Sequence, residues 1–127
     1  MDSATATDVL AIQDLLGRYA VHLDRRDIDR FAEVFLPHSE MHVRGTVWQG
    51  QDDICAKGAA SPLGIHIGAV PHISVDGDRA TGLQNFVFIN AADRSLVIGV
   101  YDDTYARVDG AWFIEVRRIV MVEPDAR

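Results

Sequence analysis

Apolar residues recur at helical spacing near the start of the chain. Ile12, Leu15, Leu16, Tyr19 and Leu23 fall on one stripe, which predicts an amphipathic helix over residues 7–23. A shorter helix is expected next, with Asp27 as its N-cap, Ile28, Phe31, Val34 and Phe35 turned inward, and Pro37 ending it. Residues 40–43 and 46–48 read as a short hairpin around Arg44-Gly45, and residues 52–57 as a weak helix. From Ile65 onward the pattern is extended. Strands are expected over 65–75, 79–90, 95–108 and 111–122, punctuated by Asp76-Gly77, Ala92-Asp93 and Asp109-Gly110.

Helices followed by a four-strand meander define an α+β fold, with the N-terminal helices covering one face of a curved, mainly antiparallel sheet. Strand alternation groups Val97, Gly99, Tyr101, Asp103 and Tyr105 on one face and Ile98, Val100, Asp102 and Thr104 on the other. Phe113, Glu115 and Arg117 likewise share a face. Parity alone does not choose the inward set. If the Tyr101 and Arg117 sets face inward, they line a pocket with apolar walls and a few polar groups, the usual make-up of a small-ligand site.

With 127 residues, 48% of them hydrophobic, the chain suits one compact domain over 1–127. Its net charge of −7 argues against nucleic acid and anionic membranes as partners. The arginines Arg25, Arg26 and Arg30 are interleaved with Asp24, Asp27 and Asp29. A single cysteine, Cys55, excludes an internal disulfide framework and a multi-cysteine metal site. No apolar run is long enough to span a membrane, and the first nine residues lack the basic and apolar segments of a leader, so the reducing cytoplasm is the expected compartment.

Several side chains have ordinary expectations. His38 and His42 are spaced like a helical ligand pair, but Pro37 breaks the helix that would align them. Cys55 reads as a buried small side chain, Trp112 as a packing residue, His22 as off the apolar stripe, and His72 as a strand irregularity or an outer-face contact. Phosphate loops, nucleophile elbows and metal-ligand clusters are missing from the sequence, so no cofactor is expected: no metal, nucleotide or flavin. Asp24 is different. A carboxylate at the edge of an apolar interior is costly without a partner, and is either paired structurally or kept for chemistry. Next to Arg25 and Arg26 it also fits a solvated salt bridge or a helix cap.

The order of elements, together with Ile12-Gln13-Asp14-Leu15-Leu16-Gly17-Arg18-Tyr19, Leu23-Asp24-Arg25-Arg26-Asp27, Asp76-Gly77-Asp78-Arg79-Ala80 and Asp109-Gly110-Ala111-Trp112, resembles the SnoaL-like branch of the nuclear-transport-factor-like superfamily. That branch includes scytalone dehydratase, a bile-acid dehydratase and hexachlorocyclohexane dehydrochlorinase. The resemblance covers nearly the whole chain and implies a cone-shaped α+β barrel with a deep pocket. It matches Asp24 to the aspartate of an Asp-His dyad, His66 in Ile65-His66-Ile67-Gly68 to the dyad histidine, and Tyr19 to the bile-acid dehydratase tyrosine. It also implies that Arg117 and Tyr101 face the cavity, which fixes the sheet parity. Gln84, Phe86, Phe88, Asp103 and Met41 then become expected substrate-binding residues. The interval from Asp24 to His66 is shorter than in those enzymes, implying a differently shaped pocket mouth.

On this reading His66 is the general base, because histidine ordinarily titrates near neutrality. Asp24 orients it, and Tyr19 or Arg117 stabilises the charge that develops. The implied activity is a cofactor-independent elimination or isomerisation of a small apolar, cyclic substrate. A non-catalytic binder of a small hydrophobic molecule and a polyketide-cyclase-like enzyme stand as alternatives. A homo-oligomer, dimer or trimer, is expected, with the outer sheet face carrying Ile98, Val100 and His72 as its contact.

Overall fold

A computed structural model describes residues 1–124. The first helix, α1 (Ser3–Asp24), starts earlier than the apolar stripe requires because Asp2 caps it, accepting a hydrogen bond from the Thr5 N–H at 2.7 Å. Its stripe of Ile12, Leu15, Leu16, Tyr19 and Leu23 is buried. The short α2 (Ile28–Ala32) is capped by Asp27, whose side chain accepts from the Arg30 N–H. The helix stops before Val34 and Phe35, yet both remain buried.

Pro37 does not end a helix. It lies inside β1 (Phe35–Val43), whose register against β7 (Ala111–Met121) shifts between Phe35 and Glu40. Proline is tolerated there because the irregular stretch needs no ladder hydrogen bond from it. Ser39 secures the irregularity: its hydroxyl accepts from the Leu36 N–H at 2.9 Å and donates to the Ile114 carbonyl at 2.6 Å. The hairpin from β1 to β2 (Thr46–Gln49) turns at Arg44-Gly45. The helix α3 (Gln51–Ala60) extends past the expected 52–57 at both ends.

The expected strand 65–75 is two strands. Both β3 (Gly64–Gly68) and β4 (His72–Asp76) pair antiparallel with β5 (Arg79–Asn90), at opposite ends of it. The break comes at Pro71, which has no N–H to donate. With β6 (Leu96–Val108), the strands form one seven-stranded open curved sheet in the order β2-β1-β7-β6-β5-β3, with β4 also on β5. The β1–β7 pair is parallel, and the other pairs are antiparallel.

Tyr101, Asp103 and Tyr105 of β6 face inward, as do Ile114 and Arg117 of β7. A bulge between Thr104 and Tyr105 adds Ala106 to the buried set. Tyr19 meets Phe31, Phe35 and Tyr101 at centroid distances of 5.3, 6.1 and 5.9 Å. Each such buried ring contributes about 1.5–3 kcal/mol by leaving water. This cluster fixes α1 against the sheet and so sets the position of Asp24, the helix's last residue.

Candidate active site

Asp24 ends α1, and His66 is the central residue of β3. The Asp24 carboxylate engages that histidine at two points. The His66 main-chain N–H donates to Oδ2 at 2.8 Å, and ring Nδ1 lies 2.5 Å from Oδ1. The carboxylate accepts, so in the neutral ring the proton lies on Nδ1 and the lone pair on Nε2. Side-chain exposure is 18% for His66 and 10% for Asp24, so the pair is sheltered without being sealed.

The turn carrying Asp24 is held by Arg26, which takes a left-handed φ of 57°. Its guanidinium donates to the Leu23 and Gly58 carbonyls and to both the hydroxyl and the carbonyl of Ser61. It thereby joins the end of α1 to the end of α3. Gly58 allows the approach, since a Cβ there would come within 3.2 Å of both Leu23 and Phe31.

Two cavities meet at His66 and Tyr101. The smaller, about 240 Å³, lies between α1 and the β3–β4 break, and its polar lining comprises Gln13, Tyr19, His66, Gln84, Tyr101 and Arg117. Gln84 closes one wall by donating to the Ala69 carbonyl at 2.9 Å. The larger, about 410 Å³, is walled by Val43, Phe86, Phe88, Val97, Ile119 and Met121, with Arg44, Ser61, Asn90 and Ser95 as its polar groups besides His66 and Tyr101. Phe88 sits 4.6 Å from the His66 ring, and Phe86 stacks on Tyr101 at 4.1 Å.

Arg117 is fully buried and already paired. Its Nε and Nη2 donate to the Asp103 carboxylate at 2.9 and 2.8 Å, and Tyr105 donates to the same carboxylate at 2.6 Å. The guanidinium lies 3.7 Å from the Tyr101 ring centroid and 4.3 Å from that of Tyr19. Burial drives an arginine toward losing its proton, but Asp103, aided by Tyr19 and Tyr101, more than offsets burial and holds the Arg117 pKa above its ordinary value. Burial also raises the Tyr19 phenol above its ordinary pKa, although nearby Arg117 opposes this. It raises Tyr101 well above that value. Both phenols are therefore neutral hydrogen-bond donors at ordinary pH.

The expected residues divide by where they lie. His66, Tyr19, Gln84, Arg117 and Tyr101 line the polar cavity, while Phe86 and Phe88 line the apolar one. Met41 and Asp103, expected on the pocket wall, line neither. Met41 is packed in the core, and Asp103 is covered by Arg117 and Tyr105. Val97 and Ile119 belong to the apolar wall, and strand parity with Tyr101 and Arg117 was the signal available for them. Arg44, at the mouth, had no periodic signal because it occupies a turn.

The remaining candidates have separate structural settings. His38 lies 3.5 Å from Glu115 and His42 3.0 Å from Glu40. Trp112 packs in the core and donates from Nε1 to Asp8 at 3.1 Å. Cys55 is half-buried, and burial, aided by Asp52, raises its thiol pKa, the opposite of activation. His72 is exposed on β4. No group of three or more potential metal ligands occurs among the described residues, and no helix there is long and apolar enough to cross a membrane.

Comparison with known proteins bears on the fold and family. A Mycobacterium tuberculosis protein of unknown function superposes with a TM-score of 0.90 at 26% identity, over 97% of this chain and 76% of its own. A putative scytalone dehydratase from Novosphingobium aromaticivorans gives 0.84 at 20% identity, over 97% of this chain and 89% of its own. A hexachlorocyclohexane dehydrochlorinase gives 0.80 at 22% identity, over 94% and 88%. No curated protein matches the chain. The model of the SnoaL-like domain matches residues 4–118, and with its N-terminal helices on a curved sheet of the nuclear-transport-factor-like kind the chain belongs to the SnoaL-like family.

Proposed function

We propose that this protein is a cofactor-independent lyase or isomerase that removes a proton from a small, apolar, cyclic substrate, with His66 as base and Asp24 as its orienting partner. The observation carrying this reading is the two-point hold of Asp24 on His66, a residue that lines both cavities; in the neutral ring this hold directs the lone pair to Nε2. A base needs a lone pair and a fixed direction, and this arrangement supplies both. The substrate body occupies the apolar cavity against Phe86 and Phe88. Proton removal next to a carbonyl or another electron-withdrawing group leaves negative charge, which the neutral phenols of Tyr19 and Tyr101 stabilise by donating hydrogen bonds. A hydroxyl or halide on the adjacent carbon then departs as the double bond forms; without such a group, the proton returns elsewhere and the outcome is isomerisation.

Arg117 lines the polar cavity as expected, and we infer for it a positioning role. With Nε and Nη2 engaged by Asp103, it holds the two tyrosine rings in place rather than serving as the main anion donor.

The test needs no natural substrate. 5-Nitrobenzisoxazole opens when a base removes its ring proton, with the N–O bond breaking as the nitrile and phenolate form, and it is small and apolar enough for the larger cavity. Wild type should accelerate the opening, and His66→Ala should lower the rate by about two orders of magnitude. Equal rates for wild type and His66→Ala would overturn the base assignment. If apolar molecules still bound, a non-catalytic carrier would become the better reading.

A further inference from the structure

We propose that the apolar cavity takes a ligand with a carboxylate at one end, an aromatic or alicyclic acid, and that Arg44 at the cavity mouth holds that carboxylate. This rests on reading the larger cavity as the ligand chamber, but not on proton abstraction by His66.

The lining has a one-sided charge. Arg44 is the arginine among its residues, no aspartate or glutamate lines it among the described residues, and its walls are otherwise mostly apolar. Yet the chain has 19 acidic against 12 basic side chains, so an acid-free rim is not what composition alone would produce. The mouth is marked by exposure: Arg44, Pro62 and Ser95 are exposed, while Phe86, Val97 and Ile119 lie deeper. A cation at the opening of an apolar chamber matches a molecule with a hydrophobic body and an anionic end.

The backbone at Arg44 is the second observation. It adopts φ 51° at the hairpin apex, followed by Gly45 at 77°. Two successive left-handed residues favour Asn-Gly, Asp-Gly or Gly-Gly, because a longer side chain is strained there. The turn alone would be satisfied more easily by asparagine. An arginine there carries a conformational cost that a function for its side chain explains. Among the described residues Arg44 makes no ion pair, unlike Arg79 with Glu115 or Arg107 with Asp8 and Asp78. Its planar fork suits a carboxylate's two oxygens.

The cavity's size limits the body. A cavity of about 150 Å³ holds benzene, so 410 Å³ has room for about two such rings and their substituents. Because His66 and Arg44 line the same chamber, a carboxylate at Arg44 would direct the body inward, past Phe88 and toward the dyad.

The experiment compares 2-naphthoate with its neutral amide, 2-naphthamide, by calorimetry on the full chain. Wild type should bind the carboxylate about three- to tenfold more tightly, and added salt should reduce that preference. Arg44→Gln should abolish the preference while leaving the amide's affinity unchanged, and Arg44→Lys should restore part of it. Arg44→Asn, which suits the left-handed turn, should behave as Arg44→Gln does, separating lost charge from a distorted hairpin. A preference that survives Arg44→Gln would place the anion elsewhere and overturn the proposal, as would equal binding of both probes by wild type. Failure of wild type to bind either probe would overturn it together with the chamber assignment. Failure of the base reading alone would appear as unchanged benzisoxazole opening in His66→Ala, with the Arg44-dependent preference intact.

Discussion

Asp24 grips His66 through both the main-chain N–H and ring Nδ1, so one carboxylate fixes the strand position and the tautomer of the same residue. Positions 24 and 66 lie far apart in the chain, and the contact exists because the α1 stripe and the β3–β5 pairing converge on it.

Asp24→Asn should therefore damage the base more than the fold. An amide that turns its NH₂ toward Nδ1 donates to it, moving the ring proton to Nε2 and removing the lone pair. Proton abstraction should fall by about two orders of magnitude. Nitrogen NMR of the imidazole, labelled in histidine, should report the exchange of tautomers. An unchanged His66 spectrum together with an unchanged rate would refute the orienting role.

The Arg117–Asp103 pair should dominate the response of stability to single substitutions. Asp103→Asn leaves a guanidinium buried without its counter-charge, and Arg117→Met strands the carboxylate, so each should destabilise by about 3–5 kcal/mol. Replacing both with apolar residues of similar volume should cost clearly less than the sum. Denaturant unfolding of the two single variants and the double variant tests this, and additive losses would contradict it.

Much of this arrangement was legible in the sequence wherever a period existed. The 3.6-residue stripe from Ile12 to Leu23 foretold the buried face of α1, and alternation in β6 correctly grouped Tyr101 with Asp103 and Tyr105. Alternation states which way a side chain points, but not what covers it. Asp103 points inward and still misses the cavity because Arg117 and Tyr105 lie over it. The helix expected to reach Phe35 failed for a related reason: Val34 and Phe35 are buried either way, and burial alone does not distinguish a helix from a strand opening on an irregular register. Likewise a strand irregularity was among the expectations for His72, after Pro71, but not that it would divide the strand in two and leave an opening beside Gln84.

The tyrosines predict an alkaline response. Burial raises the pKa of Tyr19, Tyr101 and Tyr105, which are all three tyrosines in the chain. The folded state thus holds phenolic protons that the unfolded chain releases near the ordinary value of 10.0. Stability from this source is complete below that pH and is lost as pH rises above it. Phenolate absorbance should therefore stay low past the ordinary midpoint and then rise together with loss of circular dichroism. A smooth titration of the intact fold near the ordinary value would show that the rings are not held in the neutral form.

The outer sheet face should bury itself against a second copy. Strand pairing sets Ile65 beside Ile89, Ile67 beside Val87, Val87 beside Ile98, and Val100 beside Val120, producing an apolar field across β3, β5, β6 and β7. Ile65, Ile67, Leu96, Ile98 and Val120 are each at least half exposed. The inward side of the same strands is occupied by the core and the cavities, so the helices leave this side uncovered. Apolar patches of this kind on a sheet commonly mark association, and a two-fold pair can cover both copies at once. Sedimentation should show a dimer at tens of micromolar, on the order expected for a modest interface. Ile98→Glu should shift it toward monomer, because a carboxylate at the centre of the contact loses water without gaining a partner. Ile98 lines neither cavity, so the same substitution should leave benzisoxazole opening within about twofold of wild type, provided each protomer acts alone. Wild type that sediments only as monomer at that concentration would refute self-association through this face.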